Sequence, residues 1–389
     1  MLTQEENELL TQVGPGTPAG DLLRRYWYPI ALAQDISDQN PTKFARILGE
    51  DLVIFKDKSG RLGLLADKCS HRNASLLYGR VEERGISCAY HGWLYDCEGN
   101  ILETPPEINE AIIKSVKQPA YKIQEHIGLL FAYLGPDPAP PLPHYDTMFR
   151  KDGTRMVRVH APLNCNWFQA MENSMDPAHL QVLHQEFIGR GRTPASTTRG
   201  FTDDVDDYVF YMTDYGGLMK KRTYKNGMVD QHPVLFPNIL RQGSSTQFRT
   251  PVDDTHTLHI RMHFYPNQDG SEDSNAFTPE IKIDPPNKVD PEKDHPFTKF
   301  LLHDVNSQDQ MAWETQGSIT DRTKENLSYS DRGVVMFRRV MKEQIQRVQD
   351  GKDPIGVFRD PDHPMIDTNV DEGIEQITAN RSPDAQVVN

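Results

Sequence analysis

Cysteine is scarce here, four in 389 residues, too few for a secreted scaffold held by disulfides. No apolar run reaches the ~18 residues of a membrane-spanning helix. Positive charge is in deficit: 42 Lys and Arg against 56 Asp and Glu leave a net −14. That balance argues against nucleic acid as the main partner and favours solubility. The phosphate-cradling pattern G-x-G-x-x-G after a strand is also missing, so no nucleotide site of that kind is expected. The opening residues, Met1-Leu2-Thr3-Gln4-Glu5-Glu6, lack the basic and apolar regions of a secretory leader, and a cytoplasmic location is expected. What the chain does have is length, enough for two domains and a sizeable core.

Two short stretches stand out. Cys69-Ser70-His71-Arg72 and Cys88-Ala89-Tyr90-His91-Gly92-Trp93 each supply one thiolate and one imidazole. Two such halves can hold a two-iron, two-sulfide cluster with both cysteines on one iron and both histidines on the other. That is the ligation of a Rieske centre, whose neutral imidazoles raise its potential above that of an all-cysteine cluster. Tetrahedral zinc also takes two Cys and two His, but zinc fingers pair like with like, whereas here the types alternate. The other cysteines, Cys97 and Cys165, read as reduced, partly buried thiols.

Taken in order, residues 1–35 read as a helical segment with an apolar stripe at Leu9, Leu10 and Val13, broken at Gly14-Pro15-Gly16. Tyr26-Trp27-Tyr28-Pro29 is an aromatic cluster expected to pack on another part of the protein. Residues 36–143 read as short strands: Phe44–Leu48, Leu52–Phe55, Arg61–Leu65, Tyr121–Gln124 and Leu129–Leu134, with the Cys/His pairs on loops. Gly135-Pro136-Asp137-Pro138 opens a stiff linker. Residues 144–389 mix strands (Met156–His160, Tyr208–Met212, Phe248–Pro251, His256–Tyr265, Ile281–Ile283) with helices (164–185, 299–316, 332–349).

The helical stretch 164–185 carries Asn173, Asp176, His179 and His184. A mononuclear iron(II) that activates oxygen takes two imidazoles and one carboxylate on one face. The step of five from one histidine to the next turns a regular helix through about 500°, so they face apart unless the helix is distorted. Pro177 disfavours helical geometry at Asp176, which predicts a kink there. Asp309 is the expected third ligand, with Asp304 the rival and Glu314 a hydrogen-bonding neighbour.

The pair C-x-H and C-x2-H-G-W, followed by N-x2-D-P-x-H-x4-H, resembles the large (alpha) subunit of Rieske non-heme iron ring-hydroxylating oxygenases. The stretch Gln308-Asp309 to Gly317 and the segment His232–Gln242 resemble the phthalate dioxygenase and O-demethylase branch. The resemblance spans Thr17 to about Ile345. It implies an α+β protein: an all-β Rieske [2Fe–2S] domain beside a catalytic domain with an antiparallel helix-grip (Bet v1-like) sheet and helices. It implies that Cys69 and Cys88 bind one cluster iron and His71 and His91 the other, while His179, His184 and Asp309 hold the mononuclear Fe(2+). Asp176 matches a carboxylate that joins His179 to the neighbouring subunit's cluster histidine, and Asn173 a polar residue near the iron. A homotrimer, alone or stacked as a hexamer, follows from the same resemblance.

Such a protein would be a terminal oxygenase. It would use O2 and electrons from a separate flavin- or ferredoxin-type NAD(P)H reductase to hydroxylate or O-demethylate an aromatic, carboxylated substrate. Arg241 and Arg249, on strand-like segments, are candidates for that carboxylate because guanidinium binds it bidentately, and structural ion pairs are the alternative for both. Lys68, Arg72, Arg80 and Arg84 around the Cys/His loops would suit an acidic redox partner. The competing reading, a Rieske electron carrier without oxygenase activity, has no use for His179, His184 and Asp309.

Overall fold

The computed structural model describes residues 1–109, 111–184, 205–225, 227, 229–287, 302 and 304–369. The chain opens with helix α1 (Gln4–Thr11), capped by Thr3 in a box with Glu6, and α2 (Pro18–Leu23), capped by Thr17 with Pro18 in its first turn. Strand β1 (Trp27–Leu32) follows. The β-rich region then contributes β2 (Thr42–Ile47), β3 (Glu50–Lys56) and β4 (Leu62–Ala66), which form one antiparallel sheet. Leu48 and Gly49 join β2 to β3 at φ 50° and 73°, a two-residue turn whose positive angles match the strand twist. Four short strands, β5 (Arg80–Glu82), β6 (Gly85–Ser87), β7 (Leu94–Tyr95) and β8 (Ile101–Glu103), make a second small sheet. Helix α3 (Ala111–Ser115) leads to β9 (Lys122–His126) and β10 (Leu129–Tyr133).

β10 pairs on one side with β9 and on the other with β1, Trp27 opposite Tyr133. The expected boundary at residue 36 therefore does not separate the elements. The aromatic cluster Tyr26–Pro29 is the start of a strand that closes the β-rich region's third sheet. Its apolar residues, Tyr28, Ile30 and Ala31, lie in the same core as α1 and α2.

Helix α4 (Asp146–Phe149) precedes the large sheet. Its strands are β11 (Gly153–Val159), β12 (Val205–Met212), β13 (Gly217–Tyr224), β14 (Val229–Leu235), β15 (Ile239–Gln242), β16 (Ser245–Asp253), β17 (His256–Pro266) and β18 (Glu280–Ile283). The order is β12-β13-β14-β15-β16-β17-β11-β18. The expected all-antiparallel sheet holds for seven strands. The eighth is parallel to its neighbour, because the chain leaving β17 crosses past β11 before it pairs, Met156 opposite Glu280. The fold is α+β, with a mixed sheet.

Four more helices pack on one face: α5 (Trp167–Met175), α6 (His179–Val182), α7 (Val305–Thr315) and α8 (Arg332–Gln349). The expected helix 332–349 is reproduced, with Val334, Phe337, Val340, Met341 and Ile345 buried and Val335 turned to solvent. Of the expected helix 299–316, residues 299–301 and 303 lie outside the described residues. α5 and α8 share a core with sheet residues Leu218, Val234 and Leu240. A buried ionic knot ties the helices together. Glu172 on α5 accepts from Arg322 and from Arg338 on α8, both at 2.6 Å, and Arg322 also reaches Asn7 on α1 at 3.0 Å.

Candidate metal centres

The two Cys/His loops have the same backbone plan. In each, the cysteine carbonyl accepts from the residue four places on (Asn73 N–H and Gly92 N–H, both 2.8 Å). In each, the cysteine N–H donates to the residue five places on (Ala74 and Trp93, both 2.9 Å). The fourth position is left-handed in both loops, φ 57° at Asn73 and 74° at Gly92, a conformation that Asn and Gly enter at least cost. Cys69 and Cys88 are buried and unbridged, while His71 and His91 are half-buried with ring centroids 4.6 Å apart. Trp93 stacks on His71 at 4.4 Å. The thiols thus point inward and the imidazoles outward.

Burial pushes the Cys88 thiol up; N–H groups of Tyr90 and His91 aimed at it pull the other way, and Cys69 beside it adds to the rise. Two close, buried thiols under backbone N–H donors fit thiolates that a metal centre would neutralise. Tyr95 OH lies 3.0 Å from Cys69 Sγ and 3.1 Å from Ser70 Oγ. Of the basic residues near these loops, Lys68 pairs with Asp67, Arg84 pairs with Glu103, and Arg72 sits over the Tyr90 ring.

The second constellation is built by a helix break. α5 ends at Met175, Asp176 is extended at φ −91° and ψ 112°, and after Pro177 a single new turn carries His179. The stretch expected to be one distorted helix is two helices, because Pro177 forces the preceding residue out of the helical region. The break lets His179 and His184 converge, with ring planes 85° apart and centroids at 5.2 Å. Asp309, on α7, meets them both. Its Oδ1 is 3.0 Å from His184 Nε2 and 3.6 Å from His179 Nε2. One ligand atom from each of the three lies within 4.8 Å of the others.

Each second ring nitrogen faces an oxygen, but only one is aligned for a hydrogen bond. His184 Nδ1 is 2.9 Å from Gln308 Oε1, and His179 Nδ1 is 3.4 Å from Asp176 Oδ2, an ion-pair approach without hydrogen-bond alignment. That leaves both Nε2 atoms for a common centre, the orientation that metal-binding histidines take. The donor set fits a ferrous ion with open positions. Asn173 Nδ2 donates to Asp309 at 3.3 Å. Burial alone would raise Asp309, but the hydrogen bond from His184 and the charges of His179, His184 and Arg249 hold it below the usual carboxylate range. Asp176 is likewise held down against burial, by His179, Ala178 N–H and Lys220. Asp304, the rival ligand, instead caps α7 by accepting from Ser307 N–H at 2.8 Å, and Glu314 accepts from Asn164 N–H at 2.7 Å.

The face of the large sheet that looks toward α5, α6 and α7 is basic. Because strand residues alternate in direction, Lys220 on β13, His232 on β14, Arg249 on β16 and His259 on β17 share it. Lys220 stands opposite His232 and Arg249 opposite His259. Arg249 packs over Trp313 and donates to Gln247, and burial brings it down to about 9. Arg241 corrects the expectation that it meets substrate. It has the opposite parity, lies with Thr246 on the far face, and is held there by Asp146 at 3.2 Å and Thr368 at 3.1 Å. Sequence reading passed over Lys220 altogether and met His232 only as the start of the segment His232–Gln242, with no role. Lys220 lies in Lys220-Lys221-Arg222, which reads as a solvated charge run, and only the bounding Gly216-Gly217 and Gly227 signal a strand there.

A β-rich region bearing paired Cys/His loops, joined to a sheet-and-helix domain that gathers two histidines and a carboxylate, defines a two-centre iron protein. Residues 26–119 match the family model described as Rieske [2Fe-2S] domain, and residues 293–383 the one described as LigXa C-terminal domain like. The chain is 37% identical to the 5,5'-dehydrodivanillate O-demethylase oxygenase subunit of Sphingobium sp. (strain NBRC 103272 / SYK-6), covering 93% of this chain and 84% of that protein. It is 32% identical to the phthalate 4,5-dioxygenase oxygenase subunit of Pseudomonas putida, over 92% and 89%. The fold matches a fluorene-bound oxygenase in complex with the ferredoxin of carbazole 1,9a-dioxygenase at TM-score 0.64 and 19% identity, over 90% of this chain and 98% of that one. The chain belongs to the Rieske non-heme iron oxygenases, as a terminal oxygenase component. Among the described residues, no helix is long and apolar enough to cross a membrane.

Proposed function

We propose that this oxygenase attacks a methoxylated aromatic carboxylate by O-demethylation, with electrons from a separate NAD(P)H-dependent flavin reductase, directly or through a ferredoxin. The gathering of His179, His184 and Asp309 within 4.8 Å, beneath a sheet face carrying buried cations, carries this reading. Both relatives named above act on aromatic carboxylates, and the O-demethylase is the more similar of the two.

In this reading Cys69 and Cys88 hold one cluster iron, His71 and His91 the other, and the triad holds a ferrous ion. Bound there, the cluster supplies single electrons and the ferrous ion oxygen activation. Asp176 orients His179 through its Nδ1, and its free edge joins the outward His91 of a neighbouring protomer in a head-to-tail trimer, alone or stacked as a hexamer. Asn173 steadies Asp309. Arg249 holds the polar side of the substrate, and Arg72 and Arg80 offer the redox partner a small basic landing. The balance is Ar–OCH3 + O2 + 2 e− + 2 H+ → Ar–OH + CH2O + H2O.

The test is to supply a reductase, NADH and methoxylated benzoates, and to measure formaldehyde against NADH and O2 consumed. One formaldehyde per NADH is expected. Hydroxylated ring products without formaldehyde would reject O-demethylation in favour of ring hydroxylation. An iron content of two rather than three per chain would reject both and favour an electron carrier.

A further inference from the structure

Among the described residues, Lys220 is the one buried lysine of the site's sheet face. Its side chain lies on β13 at 4% exposure, opposite the buried His232. Among the described residues its ammonium has no hydrogen bond and no ion pair. The acids whose charge reaches it, Asp176 and Asp309, and Asp230 on the facing strand are engaged elsewhere. Asp230 is shared by Arg222 and His232. Asp176 accepts from Ala178 N–H and lies against His179, and Asp309 meets His184, His179 and Asn173. Lys220 feels Asp176 and Asp309 only through space, and it also feels Arg222 and Arg249, which repel it.

An ammonium taken out of water without a partner is costly, and a well-packed apolar residue of similar size would serve the sheet better. With a dication at the triad, the charges of Asp176 and Asp309 are balanced. Lys220 then has no counter-charge among the described residues. An arriving anion would complete it. Of the anions an aromatic ring carries, a carboxylate fits best, because it offers two acceptor oxygens to a point charge and leaves the ring free to lie over the triad.

We propose that Lys220 recognises the acid group of the substrate, and that this contact sets which part of the ring system lies over His179, His184 and Asp309. The inference rests on the reading of this chain as an aromatic-acid oxygenase. Lys220 is then a specificity residue, distinct from the metal ligands and from Arg249.

The probes are vanillate and its neutral amide, vanillamide, titrated calorimetrically into the oxidised, metal-replete holoprotein without reductase, so that binding is read without turnover. Lys220→Met is expected to weaken vanillate roughly 30-fold or more, to leave vanillamide little changed, and not to lower the melting temperature. Lys220→Arg is expected to restore most of the vanillate affinity. Unchanged vanillate binding in Lys220→Met would overturn the proposal, as would an equal loss for acid and amide, which marks a structural role. A wild-type protein that binds vanillamide as tightly as vanillate, yet turns over aromatic substrates, would also overturn it while leaving the oxygenase reading intact. A wild-type protein with three irons that binds no aromatic acid would overturn both.

Discussion

At the scale of single residues, the sharpest consequence sits beside the cluster loops. Burial and the neighbouring Cys69 push the Tyr95 hydroxyl up, so it stays protonated and can donate to the sulfur 3.0 Å away. A hydrogen bond to a cluster thiolate stabilises the reduced, more negative state and raises the potential. Tyr95→Phe is expected to lower the midpoint potential by some tens of millivolts, read by titration followed by electron paramagnetic resonance, with cluster content unchanged. An unaltered potential would remove Tyr95 from the tuning of the cluster. Lys220 gives a pH dependence. Burial brings it down to about 7, against the pull of Asp176 and Asp309, while Arg222 and Arg249 push it further and His232 stays neutral. A dication at the triad would cancel that pull and lower it further, so in the metal-replete protein affinity for an aromatic acid should fall as pH rises toward neutrality, and affinity for the amide should not. These two residues also show what a sequence discloses. Cys69, His71, Cys88 and His91 were legible because ligation demands those residue types at short spacing. Lys220 was not, because its meaning lies in the parity of a strand whose neighbours in the chain are also basic. Arg241 misled for the same reason: its residue type suits a carboxylate, but its parity turns it to the wrong face.

At the scale of elements, the site depends on where helices stop. The spacing of His179 and His184, with Pro177 just before them, announced a break, and the break is sharper than expected, a full extended residue at Asp176. The position of α5 beside the sheet rests on the knot at Glu172, whose partners Arg322 and Arg338 are themselves buried. Removing the acid leaves two guanidinium groups enclosed, with Arg338 keeping only Glu325 at 2.7 Å. Glu172→Ala is therefore expected to cost about 3–5 kcal/mol, read from urea unfolding. Because Asn173 is the next residue, the mononuclear iron should be lost before the cluster absorbance on titration with a chelator. No sequence pattern pointed to this knot, since its members are about 150 residues apart. Long-range ionic contacts leave no local period to read. The strands β13 and β14 were missed on related grounds: they are buried along most of their length, so they lack the alternation by which half-exposed strands are recognised.

At the scale of the whole molecule, the two centres belong to different parts of one chain, and the described contacts of His71 and His91 are with each other, Trp93 and Tyr90. Neither touches Asp176, whose side chain is a quarter exposed. Outward imidazoles on one surface and an accessible carboxylate on another suit a heterologous contact, which repeats into a ring when its rotation closes. If electrons cross that contact, the cluster and the iron that work together lie in different protomers. Mixing then makes a clean test. A protomer with Cys88→Ala should keep the triad and lose the cluster, and one with Asp309→Ala should keep the cluster and lose the mononuclear iron. Each alone should be inactive. Unfolded together and reassembled in equal amounts, they place an intact cluster beside an intact iron at about a quarter of ring contacts, so activity should return to about a quarter of wild type. Electron flow confined within a chain would leave the mixture as dead as its parts. Introducing Asp176→Asn into the Cys88→Ala protomer should abolish the recovery, because that protomer supplies the working iron and the carboxylate facing its neighbour's cluster, whereas the same change in the Asp309→Ala protomer should leave the recovery intact.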